Sequence, residues 1–222
     1  RRTPRWSPRH GGTPPVVGSK QKDKNFMIKT LLGGFVAVSA LLGTVGLAEA
    51  RTLKVVASID VVADVVHNVG GDKIEVSSIV PSGGDPHEFE PSPADAKALA
   101  DADLVFVNGL GLEGWLDRLI AASGYKGQSV VVSEGIATRN MEEDGKTVTD
   151  QHVWNAAANV GVWVANIEAA LAKADPEDAA SFKANAEAYG KQVAELDSYA
   201  KTAFAALPKD KRKVLTSHDA FG

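Results

Sequence analysis

An α/β fold with a parallel sheet is predicted by three observations. Residues 53–57, 73–76, 104–107 and 129–132 are short, mostly β-branched runs that read as strands. Amphipathic helical patterns separate them, and this alternation packs helices on the faces of a parallel sheet. After Asn155 the strand signal disappears for more than fifty residues, leaving a helical segment.

The elements follow in chain order, and the first fifty residues read as processing sequence. Residues 1–26 are Arg- and Pro-rich, begin at Arg1 and lack apolar periodicity, so they are read as an upstream leader outside the fold. From Met27, Lys29 supplies positive charge, residues 31–47 are apolar or small almost throughout, and Ala48-Glu49-Ala50 has the small-x-small form of a signal-peptidase site. Residues 27–50 are therefore read as a cleavable signal peptide and the protein as exported, in preference to a retained membrane anchor.

Eight of the 24 Lys and Arg, but only Asp23 and Glu49 of the 28 acids, lie in residues 1–50. Residues 51–222 thus carry 16 basic and 26 acidic side chains, a net charge of about −10. Such a surface repels phosphate backbones and attracts cations, which disfavours a nucleic-acid partner; keeping an exported protein soluble explains it equally well. Cysteine is absent, which excludes thiolate ligands, disulfides, a thiol nucleophile and a lipid-acceptor cysteine after the signal. The mature chain is expected to be soluble.

Residues 51–153 form the α/β part. Residues 60–69 place Val61, Val62, Val65, Val66 and Val69 on one helical face. Ser92-Pro93 supplies an N-cap and a first-turn proline for a helix through Leu99, and residues 113–121 carry Trp115, Leu116, Leu119 and Ile120 in the same pattern. Residues 154–208 form the helical part. A stripe of Val160, Trp163, Val164, Ile167 and Leu171 ends near Ala174, and Asp175-Pro176-Glu177-Asp178 signals a new helix with Asp175 as cap. Its apolar residues Phe182, Ala186, Tyr189, Val193, Leu196, Ala200, Phe204 and Leu207 map one continuous stripe over about 25 residues, roughly 40 Å, until Pro208. That stripe is either an ordinary core face or the face of a rod spanning two lobes. Residues 209–222 begin with a charged turn, after which Val214-Leu215-Thr216 reads as a strand.

Three histidines sit in polar, loop-like stretches: Asp85-Pro86-His87-Glu88, Asp150-Gln151-His152-Val153-Trp154 and Thr216-Ser217-His218-Asp219-Ala220-Phe221-Gly222. Imidazole is the commonest transition-metal ligand, and His87, His152 and His218 together would need one more donor for a tetrahedral zinc site. Taken singly, each is more often a surface or hydrogen-bonded residue. His67, on the valine-rich helix, is assigned to packing or surface.

The order of these motifs, with Pro91-Ser92-Pro93 after the first and a long helix before the third, resembles the metal-binding periplasmic receptors of zinc and manganese ABC transporters, from about Leu53 to Gly222. The resemblance implies two α/β lobes joined by one long helix, with the N-terminal lobe, the connecting helices and the first strand of the C-terminal lobe in this chain. It implies that His87, His152 and His218 ligate the metal and that a carboxylate beyond Gly222 supplies the fourth donor. It also implies a periplasmic, non-enzymatic receptor, expected to be monomeric, that delivers its ion to an inner-membrane ABC permease. The second motif departs from the family's usual Asp-Pro-His by having Gln151 before His152, and Trp154-Asn155-Ala156-Ala157 replaces the usual continuation.

Three neutral imidazoles plus a carboxylate suit Zn2+, and a site richer in oxygen suits Mn2+, so zinc is favoured and manganese is the alternative. The segment 140–151 resembles the place of a histidine-rich loop in many zinc receptors, but carries Glu142, Glu143 and Asp144 and no histidine. From other classes, a zinc metallohydrolase is disfavoured because His87-Glu88-Phe89-Glu90-Pro91 fails the H-E-x-x-H pattern at its second histidine. A cell-adhesion role is the remaining alternative.

Overall fold

The computed structural model describes residues 51–143, 145–216 and 218–221. The leader and signal segments expected at 1–26 and 27–50 lie outside the described residues.

Four strands, β1 (Leu53–Ile59), β2 (Ile74–Val80), β3 (Leu104–Val107) and β4 (Ser129–Val131), form one parallel sheet in the order β2-β1-β3-β4. Val55 pairs with Val76 on one side and Leu104 on the other, and Phe106 pairs with Val130. Six of the seven residues of β1 are buried, as expected of a central parallel strand covered on both faces, where a near-continuous apolar run replaces alternation.

Helix α1 (Asp60–Gly70) buries Val62, Val65, Val66 and Val69. Val61 departs from the expected face: it is 37% exposed, because it lies about 100° around the helix from Val62. Helix α2 (Pro93–Ala100) starts as its sequence requires. The Ser92 hydroxyl accepts from the Asp95 amide, the Asp95 carboxylate accepts from the Ser92 amide at 2.7 Å, and Pro93 fills the first turn. Helix α3 (Leu116–Ser123) begins three residues later than expected, since Glu113 turns inward.

A two-stranded antiparallel hairpin, β5 (Asn140–Glu143) and β6 (Lys146–Thr149), occupies a segment read from sequence as a loop. Helices α4 (Ala157–Ala174) and α5 (Ala179–Ala205) follow and pack on each other and on α1. Asp175 does not cap α5 directly. Its carboxylate accepts from the amides of Glu177 and Asp178, forming a turn one step earlier, and the helix starts at Ala179. One buried cluster joins the sheet and α1 to Trp163, Ile167 and Leu171 of α4 and Phe182 of α5.

The 27 residues of α5 extend about 40 Å. Its stripe is buried at Phe182 and Val193, whereas Leu196, Phe204 and Leu207 are 58%, 61% and 42% exposed. Val214-Leu215-Thr216 is not a strand. A strand requires a hydrogen-bonded neighbour, none pairs with this run among the described residues, and Leu215 is 98% exposed. Among the described residues no helix is long and apolar enough to cross a membrane.

Candidate metal centre

His87 lies in the loop after β2, beyond a carboxyl end of the parallel sheet, where such folds place ligands. Two contacts fix this loop. The Asp85 carboxylate accepts from the His87 amide at 2.9 Å, and the Trp115 indole donates to the Pro86 carbonyl at 2.9 Å. Asp85 therefore shapes the turn through the backbone.

His152 follows β6 and is buried. Asp150 holds it doubly: Oδ1 accepts from the His152 amide at 2.9 Å and lies 2.9 Å from its Nδ1. Arg139 reaches Asp150 Oδ2 through Nε at 2.8 Å and Nη2 at 2.6 Å, and the Asp150 amide donates to the Arg139 carbonyl. An ionised carboxylate only accepts, so the His152 proton sits on Nδ1 and the Nε2 lone pair points away from Asp150. Burial pushes the Asp150 carboxyl up, but the His152 amide, the Arg139 guanidinium and the His152 ring outweigh it and hold the pKa below the ordinary carboxylate value.

His218 completes the cluster from the far side of α5 in sequence. Asn155 donates to the Ala220 carbonyl at 2.8 Å, which ties the last stretch to the residues after His152. His152 Nε2 lies 3.2 Å from His87 Nε2 and 3.2 Å from His218 Nε2, and one ligating atom from each ring falls within 4.8 Å of the others. A tetrahedral ion with Zn–N bonds of about 2.0 Å separates its nitrogens by about 3.3 Å, so two edges of the cluster already match that spacing. The pocket around the rings is also lined by Gly84, Trp154, Val214 and Phe221 and is open to solvent. His67 is exposed on α1 and takes no part.

Sequence reasoning missed Glu113, whose position in an apparent helix pattern suggests a solvent-facing acid. It is 9% exposed, and its carboxylate accepts from the Ser58 hydroxyl at 2.6 Å and from the amides of Asn108 and Gly109 at 2.7 and 3.0 Å. Burial raises its pKa above the ordinary value against the pull of these donors. The loop it holds needs glycine at 109: φ is +81°, and a Cβ there would lie 2.5 Å from Val131 Cγ1. Asn108, fully buried, donates to the Gln151 carbonyl at 3.1 Å, which connects Glu113 to the segment carrying His152. Asp150 was also missed as the orienting group, although a carboxylate two residues before a histidine is a recognisable turn signal.

Residues 55–222 match the family described as zinc-uptake complex component A, periplasmic (ZnuA). The chain belongs to this family. It is 39% identical over 174 residues to the manganese-binding lipoprotein MntA of Halalkalibacterium halodurans, covering 78% of this chain and 57% of that protein. It is 35% identical over 198 residues to the manganese ABC transporter substrate-binding lipoprotein PsaA of Streptococcus pneumoniae, covering 86% and 63%. Among solved structures it resembles the Mn-bound periplasmic metal-binding protein of Candidatus Liberibacter asiaticus, with a TM-score of 0.64 and 28% identity over 71% of this chain and 59% of that one. The chain thus spans about three fifths of these relatives' lengths. The four-stranded α/β unit and its helices are the part of the ZnuA-family fold that it shares with them.

The Asp150–His152 pair makes a prediction on stability as well as binding. A depressed carboxylate pKa contributes stability that is present above the unfolded carboxyl value and lost as pH falls through the lower folded value. In D150N, unfolding free energy of the metal-free protein should fall below wild type near neutral pH, and the gap should narrow below about pH 4. Metal affinity should fall about 10- to 100-fold, because the substituted amide can present NH2 to a ring that needs an acceptor. Urea titrations across pH and a metal titration at neutral pH check both.

Proposed function

We propose that this chain captures a divalent transition-metal ion outside the cytoplasm and passes it to an ABC permease, with His87, His152 and His218 as ligands. The carrying observation is the meeting of three Nε2 atoms from loops far apart in sequence, two of the spacings being 3.2 Å. His152, with its proton held on Nδ1 by Asp150, turns its Nε2 lone pair toward the other two rings, where it is available to a cation. Three imidazoles leave a coordination position for a carboxylate from elsewhere, and the exposed second half of α5 supports its reading as a strut reaching a second lobe.

The cargo reading moves from zinc to manganese. Donor type alone favours zinc. Relatives such as MntA and PsaA are named for manganese, and the solved neighbour carries Mn. Zinc remains the second reading, supported by the three-imidazole set and by the family description, which names zinc uptake. Raw affinity follows the Irving–Williams order and so favours zinc at almost any such site, which makes the ion held after export the informative quantity. Elemental analysis of exported protein should find manganese in excess over zinc; zinc in excess would return the reading to the family description. The metallohydrolase alternative is set aside, because the family consists of transporter binding components rather than enzymes.

Imidazole binds metal only when deprotonated, so binding releases protons and weakens in acid. Metal affinity measured between about pH 8 and about pH 5 should fall steadily. A flat profile would contradict an all-imidazole ligand set.

A further inference from the structure

We propose that Gln151 sets which nitrogen of His87 carries the proton, and so prepares that ring for metal. This rests on the metal-capture reading. Gln151 is 7% exposed, and its side-chain amide nitrogen lies 3.0 Å from His87 Nδ1. Its main chain is clamped as well, because Asn108 donates to its carbonyl while Glu113 holds the Asn108 amide and the Ser133 hydroxyl donates to the Asn108 carbonyl. The amide is thus held against one candidate ligand while belonging to the residue beside another.

The proton positions of His152 and His87 in the metal-free cluster follow from Asp150 and from Gln151 respectively. Asp150 accepts from His152 Nδ1, so neutral His152 has its lone pair on Nε2. The Gln151 amide nitrogen donates to the His87 lone pair on Nδ1, which leaves the His87 proton on Nε2, 3.2 Å from His152 Nε2; His218 Nε2 approaches the same His152 nitrogen at 3.2 Å. Held in this way by Gln151, neutral His87 keeps its proton on Nε2, facing His152. Metal binding through Nε2 demands the other tautomer. The Nε2 proton passes to water and water returns one to Nδ1, leaving the ring neutral. A half-turn of the Gln151 amide about its Cγ–Cδ bond presents Oε1 in place of NH2 and accepts the new Nδ1–H. An amide can serve both states because it carries a donor and an acceptor. An aliphatic side chain serves neither, and a carboxylate serves only the metal-ready one.

The test combines histidine 15N NMR with titration by Zn2+, chosen as a diamagnetic probe, on the full chain. In wild type the His87 proton should sit on Nε2 without metal and on Nδ1 with Zn2+. Q151E should place it on Nδ1 before metal is added and bind Zn2+ at least as tightly as wild type. Q151L should bind about 10- to 100-fold more weakly. The same His87 proton position in metal-free wild type and Q151E, or Q151L binding as tightly as wild type, would overturn the assignment. Should Q151L fail to fold, the wild-type and Q151E comparison still decides. Wild type that takes up no Zn2+ would defeat the metal-capture reading, while the metal-free spectra would still report on Gln151.

Discussion

Replacing His152 by alanine should weaken divalent-metal binding by on the order of a hundred- to a thousand-fold, more than the same change at His87 or His218. The estimate divides the roughly 10–16 kcal/mol of a four-ligand structural zinc site among its ligands, about 3 kcal/mol each. His152 should exceed the others because it is the middle of the cluster, 3.2 Å from each neighbouring Nε2, and is buried whereas His218 is exposed. Its ring is also the one whose orientation is fixed twice by Asp150, through amide and Nδ1. Removing it leaves Asp150 with only Arg139 and the backbone amide and breaks both short edges at once. Isothermal titration with Mn2+ and with Zn2+ checks the ranking; equal effects at all three positions would show that the ring at the centre holds no special place.

Glu113→Ala should cost about 3 kcal/mol or more of unfolding free energy, the largest stability effect expected of any polar residue near the site. The substitution leaves the amides of Asn108 and Gly109 and the Ser58 hydroxyl without the acceptor they share in a buried setting. Each stranded buried donor costs about 1–3 kcal/mol. The wild-type carboxyl has a raised pKa, so its titration contributes stability that is fully present below the unfolded carboxyl value and lost as pH rises through the folded one. The Ser58 hydroxyl and the Asn108 and Gly109 amides pull against that rise. Denaturant midpoints should fall sharply in E113A. Metal affinity should weaken too, because Asn108 then loses the contact that aligns it with the Gln151 carbonyl. An unchanged midpoint would mean that these donors find water or other partners.

What could be read from sequence and what could not divide along physical lines. The central strands were legible because β1 and β3 are buried on both faces and so spell continuous apolar runs. The start of α2 was legible because Ser92, Pro93 and Asp95 meet a local geometric demand. The β5–β6 hairpin was not, since its strands are short and its residues mostly polar and exposed. Val214-Leu215-Thr216 shows the converse failure, in which β-branched residues state a preference that only a neighbouring strand can satisfy. Residue spacing gave α5 a continuous stripe, but spacing cannot say what covers it, and the described residues cover it only as far as Val193.

At the site, each histidine motif was recognisable as a polar loop, but convergence is a long-range property that no single motif encodes. Asp150 was missed as the orienting group, although its place two residues before His152 is a turn signal. Glu113 was not readable, because an acid in an amphipathic pattern is ordinarily assigned to solvent, and only the fold brings Ser58 and the Asn108–Gly109 amides to it. Gln151 looked like a departure from a familiar turn, and its contact with His87, 64 residues earlier, appears only in three dimensions.

The central claim is that three imidazoles from separate loops hold one ion. Titrating the purified protein with Mn2+ and Zn2+ beside the variant in which His87, His152 and His218 are all alanine tests it most directly. One equivalent of metal should bind to the wild type and none to the triple variant at the same concentrations. Stoichiometric binding of equal strength by the triple variant would place the ion elsewhere and contradict the account.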